Sequence, residues 1–312
     1  MKFGWVDWAK RRLAGPSVYA SLGLEYSAEG VSLSLFSEQD GLWRWEQQQF
    51  FAANKWATEL PDWVAEHSAQ NTPCHVTLST GLYQLRQVEK PNVKDDEVVQ
   101  ALKWSVPELM GTNEEQIIDC FELPVQPSSV NKVNLVATPR SLVESVIEHV
   151  SKAHLKLNTI SIEELSLCDL LGVKDEPQML ISQGQGDEVC LLIVRQGKLY
   201  FTRRIRGIGQ LSKLGPQMAD SDVVEGLALE IQRSMDYFES QLRQPQVQKL
   251  VICLDTPHLD ALKMALQQNV MARVEWLVPS FDTGSFQLLP GNIASVAAAQ
   301  AGRSQLMMAQ AS

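Results

Sequence analysis

The sequence predicts an α/β protein built as two related lobes. Each half of the 312-residue chain opens on a meander of short strands, one beginning near residue 21 and the other near residue 178. In both halves the meander gives way to amphipathic helices alternating with apolar strands. The length suits about two domains, and the shared opening points to an internal duplication.

SLGLEYSAEGVSLSLF, residues 21–36, reads as two strands around a tight turn. Leu22, Leu24 and Tyr26 alternate with small or polar residues. Val31, Leu33 and Leu35 do the same, and Gly30 is placed to take a positive φ. A third strand runs over 42–51. Asn54 stands where it would cap a helix to His67, with Trp56, Leu60, Trp63 and Val64 on its buried face. CHVTLS (74–79) is a fourth strand of buried character, and QLRQVEKP (84–91) extends the chain. Asp95 and Asp96 then open a helix through Trp104, which Pro107 ends. KVNLVA (132–137) is a strand running into Thr138-Pro139, a cap and first-turn pair. The following helix aligns Leu142, Val143, Val146, Ile147 and Val150. LNTISIEELSLCDLLG (157–172) gives a short strand and a helix with a Ser161–Glu164 capping box, stopped by Gly172.

KDEP (174–177) reads as a junction between lobes. QMLIS, VCLLIV and LYFTRRI then repeat the three-stranded opening. Asp222 and Glu225 open a long helix with Val223, Leu227, Ile231, Met235, Phe238 and Leu242 in one stripe, and Pro245 closes it. KLVICL (249–254) is a buried strand, followed by a helix over 257–268 and a short strand over 273–278. Asn292 caps a helix of small residues, IASVAAAQ, which Gly302 stops; the tail beyond Arg303 is expected to be disordered.

Composition narrows the function classes. The chain is 45% hydrophobic and 21% charged, as in ordinary globular proteins, and its net charge of -10 repels a phosphate backbone, which argues against nucleic-acid binding. No apolar run approaches the roughly 20 residues that span a bilayer, and the first fifteen residues lack the apolar core of a signal peptide. The five cysteines are scattered without a CxxC pair, which reads as buried free thiols in a reducing compartment. Cys74 and His75 are adjacent and point to opposite faces of a strand, so no metal site is expected there. No GxSxG, Walker or dinucleotide motif appears. Arg203, Arg204 and Arg206 form a basic cluster, either a surface for an anionic partner or a solvated strand end.

Residues 1–16 form a separate arm. Trp5 and Trp8 mix with Lys10, Arg11 and Arg12, and Gly15-Pro16 breaks the arm from the first strand. Two readings stay open: a foot on an anionic membrane surface, or an arm packing its aromatics on its own domain. Seven of the eight tryptophans lie at or before Trp104, so the first half is where a binding groove is sought.

Several stretches resemble the PilM family, the actin-like cytoplasmic component of type IV pilus machines, and within it the branch found in mannose-sensitive haemagglutinin (MSHA) pilus systems. They are EIQRSMDYF (230–238), ALKW with Val106-Pro107, NLVA (134–137) and FTRRI (201–205), in the family's order. The resemblance spans about residues 18–303 and implies an actin-like, ribonuclease H-like two-lobed α/β fold with an internal duplication. The expected division is a first lobe over 17–172, with an inserted subdomain at about 82–133 and a completing helix at 291–303, then a second lobe over 173–290 and a tail over 304–312. The resemblance also implies a cytoplasmic protein at the inner face of the inner membrane. Its expected partners are the N-terminal cytoplasmic tail of a PilN- or MshJ-like membrane protein and other platform or motor proteins. The tail is expected in a first-lobe groove near Pro91, Trp104 and Pro107, unless Trp104 is plain core.

In that fold ATP sits between two hairpins whose glycines admit the phosphates and whose Asp residues orient Mg²⁺. Here Gly23 remains, but the first hairpin's Asp-Ile-Gly is matched by Glu25-Tyr26-Ser27 and the second's by Ser182-Gln183-Gly184. A later Gly-Gly survives only as Gly207-Ile208-Gly209, and the adenosine loop falls at Leu254-Asp255-Thr256, without glycine. The expectation is a vestigial nucleotide site, no required cofactor, and no catalysis. Two alternatives are a working ATPase of the actin and sugar-kinase fold, whose bound state regulates the partner, and an actin-like filament.

Overall fold

The computed structural model describes residues 17–127, 130–183, 188–205, 208, 211, 215 and 222–311. The arm with Trp5, Trp8, Lys10, Arg11 and Arg12 lies outside the described residues, as do Gly184, Gly207, Gly209 and Arg206.

Two five-stranded sheets share one topology. In the first, β1 (Ser21–Tyr26), β2 (Gly30–Gln39) and β3 (Leu42–Ala52) form an antiparallel meander, and β4 (Pro73–Leu78) and β8 (Lys156–Ile162) extend it in parallel, in the order β3-β2-β1-β4-β8. In the second, β9 (Gln178–Gln183), β10 (Val189–Arg195) and β11 (Lys198–Ile205) form the meander, and β12 (Lys249–Cys253) and β13 (Arg273–Trp276) extend it, in the order β11-β10-β9-β12-β13. The repeated order is the internal duplication. Alternate residues of each central strand face opposite layers, so β1 sends Leu22 and Leu24 to one side and Gly23 and Glu25 to the other.

Each sheet is covered on both faces. Helices α1 (Trp56–Glu66) and α4 (Arg140–Lys152) pack on the outer face of the first, burying Trp56, Leu60, Val64, Val146 and Val150 with Leu22 and Leu24. On the second, the outer face takes α6 (Asp222–Asp236), its π-helical extension Tyr237–Gln241, and α7 (Leu259–Asn269). Between the sheets lie α5 (Glu163–Leu171) and α8 (Ile293–Ala311). Phe36 and Trp45 from the first sheet, Leu180, Leu192 and Val251 from the second, Leu167 of α5 and Val296 of α8 share one buried cluster, which joins the lobes. Each such side chain contributes roughly 1.5–3 kcal/mol by leaving water.

A third sheet, β5-β7-β6, stands apart: β5 (Gln84–Glu89), β7 (Lys132–Pro139) and β6 (Gln116–Glu122), covered by α2 (Val98–Lys103) and α3 (Val106–Met110). Its central strand is β7, so this sheet extends to Pro139.

Several expected caps do other work. Asn54 lies outside α1, whose N-cap is Lys55. The Thr138 hydroxyl donates to the Leu82 carbonyl at 2.8 Å instead of capping α4. Ile162, not Ser161, is the N-cap of α5. Asn292 holds the segment before α8, accepting from the Leu289 N–H at 2.8 Å and donating to Gln48 and Gln287. Pro107 does not merely end a helix; it stands in the first turn of α3, where its missing N–H costs nothing. Gly302 does not stop α8, which continues to Ala311 through the segment expected to be disordered. A Cβ at Gly302 would lie 2.8 Å from the Ser21 hydroxyl and 3.2 Å from His75 Nε2, so glycine there permits close packing on the first sheet.

Candidate functional site

The carboxyl ends of β1, β4 and β8 place Glu25, Ser79 and Glu163 together, where an open α/β sheet ordinarily binds its ligand. Glu25 is 1% exposed; its Oε1 accepts the Ser79 hydroxyl at 2.7 Å, and its Oε2 has no hydrogen-bond partner among the described residues. Burial pushes this carboxyl up to about 8; the Ser79 bond pulls it back, and the charges of Glu163 and Glu29 push it further. Glu163 is also buried and accepts the Thr80 N–H at 3.2 Å. Burial and then the neighbouring Glu164 push it up to about 7.

The remaining first-hairpin residues have structural partners. Ser27 closes its own turn: its N–H donates to the Gly30 carbonyl at 2.8 Å, and its hydroxyl does so at 3.1 Å. Gly23 faces α8. A Cβ there would come within 1.9 Å of the Ser295 carbonyl oxygen and 2.5 Å of the Ala299 nitrogen, both backbone. Packing against the helix therefore requires glycine at this position. Across the lobes, Ser182 and Gln183 are buried at the end of β9, and Gln183 Oε1 accepts the Asp255 N–H at 3.3 Å. This bond links the end of β9 to the loop after β12.

A polar network joins the two lobes beside Glu25. Glu164, in the first turn of α5, is 1% exposed and has both carboxylate oxygens engaged. Oε1 pairs with Arg204 Nη2 of β11 at 3.0 Å, and Oε2 accepts the Tyr83 hydroxyl. The Arg204 guanidinium lies 5.2 Å from the centre of the Tyr83 ring. Burial works against the Arg204 charge, but Tyr83 and Glu164 outweigh it and hold its pKa above the usual value. Burial, followed by the charges of Glu164 and Glu163, raises the Tyr83 phenol. The sequence pattern reads Glu164 as half of a capping box and Arg204 as one of a basic cluster, and folding makes them an ion pair. Of the other arginine in view, Arg203 pairs with Glu230 at 2.7 Å.

The expected partner residues all sit on the inserted subdomain. Pro91 follows β5 and is half-buried, and Pro107 is exposed on α3. Trp104 caps the end of α2 and is 84% exposed, so it is not core. Val93, in the same loop as Pro91, is 42% exposed. Among the described residues, no group of three or more His, Cys, Asp or Glu is placed to hold a metal ion, and no helix is long and apolar enough to cross a membrane. All five cysteines are free, four of them buried and Cys120 partly so.

No protein-family model matches the chain, and no curated protein matches it. Solved structures do. The chain is similar to the structure titled PilM-PilN type IV pilus biogenesis complex, with a TM-score of 0.68 and 17% identity over 91% of this chain and 98% of that one. It is also similar to the cytoplasmic domain of EpsL, an inner-membrane component of the type II secretion system of Vibrio cholerae. There the TM-score is 0.50 and the identity 11%, over 91% and 94% of the two chains. The fold is the actin-like one.

Proposed function

We infer that this chain is a cytoplasmic actin-like scaffold of a type IV pilus machine of the MSHA kind, an MshI-like protein. It docks the N-terminal cytoplasmic tail of a PilN- or MshJ-like inner-membrane protein, and through it meets other platform or motor components. The observation that carries this reading is Trp104: a tryptophan 84% exposed on a subdomain whose own core is complete without it. Exposed aromatics of this kind anchor partners. Similarity along nearly the whole length to a protein solved with its pilus partner supports the choice of partner.

The same reading makes the protein a binder rather than an enzyme. Glu25 is held toward its neutral form where Mg²⁺ would need an ionised carboxylate, Ser27 is committed to its own turn, and Gln183 bridges to Asp255. Gly23, kept from the nucleotide pattern, is accounted for by α8.

The test is calorimetry with a synthetic peptide of the partner's cytoplasmic tail. The intact chain binds, and Trp104→Ala, which removes no buried contact, keeps its stability within about 0.5 kcal/mol while losing about tenfold or more in affinity. A folded Trp104→Ala protein that binds normally would move the groove elsewhere. An intact chain that ignores the peptide would overturn the reading.

A further inference from the structure

We propose that Tyr83, Glu164 and Arg204 form a latch that holds the second lobe's edge strand against the first lobe, and that breaking it opens the crevice between them. The three residues come from separate elements, two in the first lobe and one in the second. Tyr83 lies one residue before β5, at the root of the inserted subdomain; Glu164 begins the helix between the sheets; Arg204 is on β11, the outermost strand of the second sheet. Both oxygens of a carboxylate that is 1% exposed are spent on the other two.

Such a contact behaves differently from the apolar cluster beside it. A buried apolar contact loses strength smoothly when trimmed, whereas removing one partner of a buried ion pair leaves an uncompensated charge. Water entering as β11 moves away then relieves the unpaired Glu164. Arg204 is 27% exposed along its side chain, so its outer edge is open to solvent. The latch therefore sits at the border where opening is easiest.

Cys190 gives the reporter. It lies directly opposite Arg204 in the β10–β11 pairing and is 3% exposed. Cys74, fully buried under the outer helices of the first sheet, is the internal control. The experiment is residue-resolved alkylation with N-ethylmaleimide, followed by mass spectrometry, on the full chain and its Arg204→Met and Arg204→Lys variants. In Arg204→Met, Cys190 labelling should rise about tenfold over that of Cys74, and Arg204→Lys should restore much of the protection. Electrostatics run the other way, because the Arg204 charge favours the Cys190 thiolate and its loss slows the chemistry. Faster labelling therefore reports exposure. A Cys190 rate that stays level, or rises only in step with Cys74 as in global unfolding, would overturn the latch. Should Arg204→Met fail to fold, Tyr83→Phe removes only the hydroxyl and is judged by the same ratio, with a rise of about threefold. None of these arms uses a partner, so the latch and the docking reading fail separately.

Discussion

Replacing Glu25 by glutamine distinguishes a neutral buried acid from an ionised one. The side chain keeps its shape, and its amide oxygen can still accept the Ser79 hydroxyl. In the folded chain the carboxyl is raised from 4.5 to about 8, chiefly by burial. Between those values the folded protein keeps a proton that the unfolded chain has released. Its contribution to stability is therefore complete below the lower value and is lost as pH rises through the window. Each pH unit costs roughly 1.4 kcal/mol, and the full window roughly 5 kcal/mol. Glutamine does not titrate. The advantage of Glu25→Gln over the native chain should therefore grow steadily from about pH 5 to about pH 8 and level off above it. Urea unfolding at several pH values and constant ionic strength measures this. Glu163, raised to about 7, titrates in both proteins and largely cancels. A difference that stays flat across the window would refute the reasoning: Glu25 would then be ionised in the folded chain, its charge met by water or a cation.

Three further outcomes are expected. Gly23→Ala forces a methyl into the α8 backbone and should cost about 3 kcal/mol in chemical denaturation, with or without nucleotide; a loss seen only in nucleotide binding would return Gly23 to the hairpin chemistry. Millimolar Mg-ATP or Mg-ADP should leave the melting temperature unchanged, since a ligand at about 100 times its dissociation constant would add about 2.7 kcal/mol; a clear shift would revive the ATPase alternative. Deleting residues 1–15, which include Trp5, Trp8, Lys10, Arg11 and Arg12, should weaken binding to anionic vesicles. An intact chain that does not bind such vesicles would end the membrane-foot reading.

Local patterns carried the elements; long-range partners decided what the polar residues do. The period-2 alternation around Gly30 survives folding with both faces buried, apolar side chains under the outer helices and small or polar ones toward α8. The helical spacing of Trp56, Leu60, Trp63 and Val64 survives because one face of α1 is buried. The caps did not. Thr138 and Glu164 looked local, yet their bonds run to Leu82 and Arg204, far away in sequence, and Asn292 adds a bond to Gln48 to its local ones with Leu289 and Gln287. Nothing in a window around Glu164 marks it as half of an ion pair rather than an acidic first turn. The β7 strand was legible as a strand, but its place in the centre of the inserted sheet depends on pairing with both β5 and β6, which a single sequence does not encode. Trp104 sits in an apolar helical stretch, so its exposure could be learned only from the packing.

The two glycines seat α8 on the first sheet, and the apolar cluster and the ion pair at α5 tie that unit to the second lobe. Gly23 admits the helix from the strand side, and Gly302 admits the strand residues Ser21 and His75 from the helix side. Backbone thus meets backbone or small polar groups at both places, and Ser21 adds a hydrogen bond to the Ala299 carbonyl at 2.8 Å. Contacts this close cannot slide without collision, because packed interiors tolerate shifts of only a fraction of an ångström. The apolar cluster around Phe36, Trp45, Leu192 and Val296 extends that fixed base into the second lobe. Glu164 and Arg204 lie at the other kind of contact, polar and reachable by water. Among the described residues the lobes are also tied where Asp282 pairs with Arg44 at 3.7 Å and exchanges backbone hydrogen bonds with Trp43 and Trp45. Relative movement of the lobes should therefore be resisted at Arg204 and at Asp282 together.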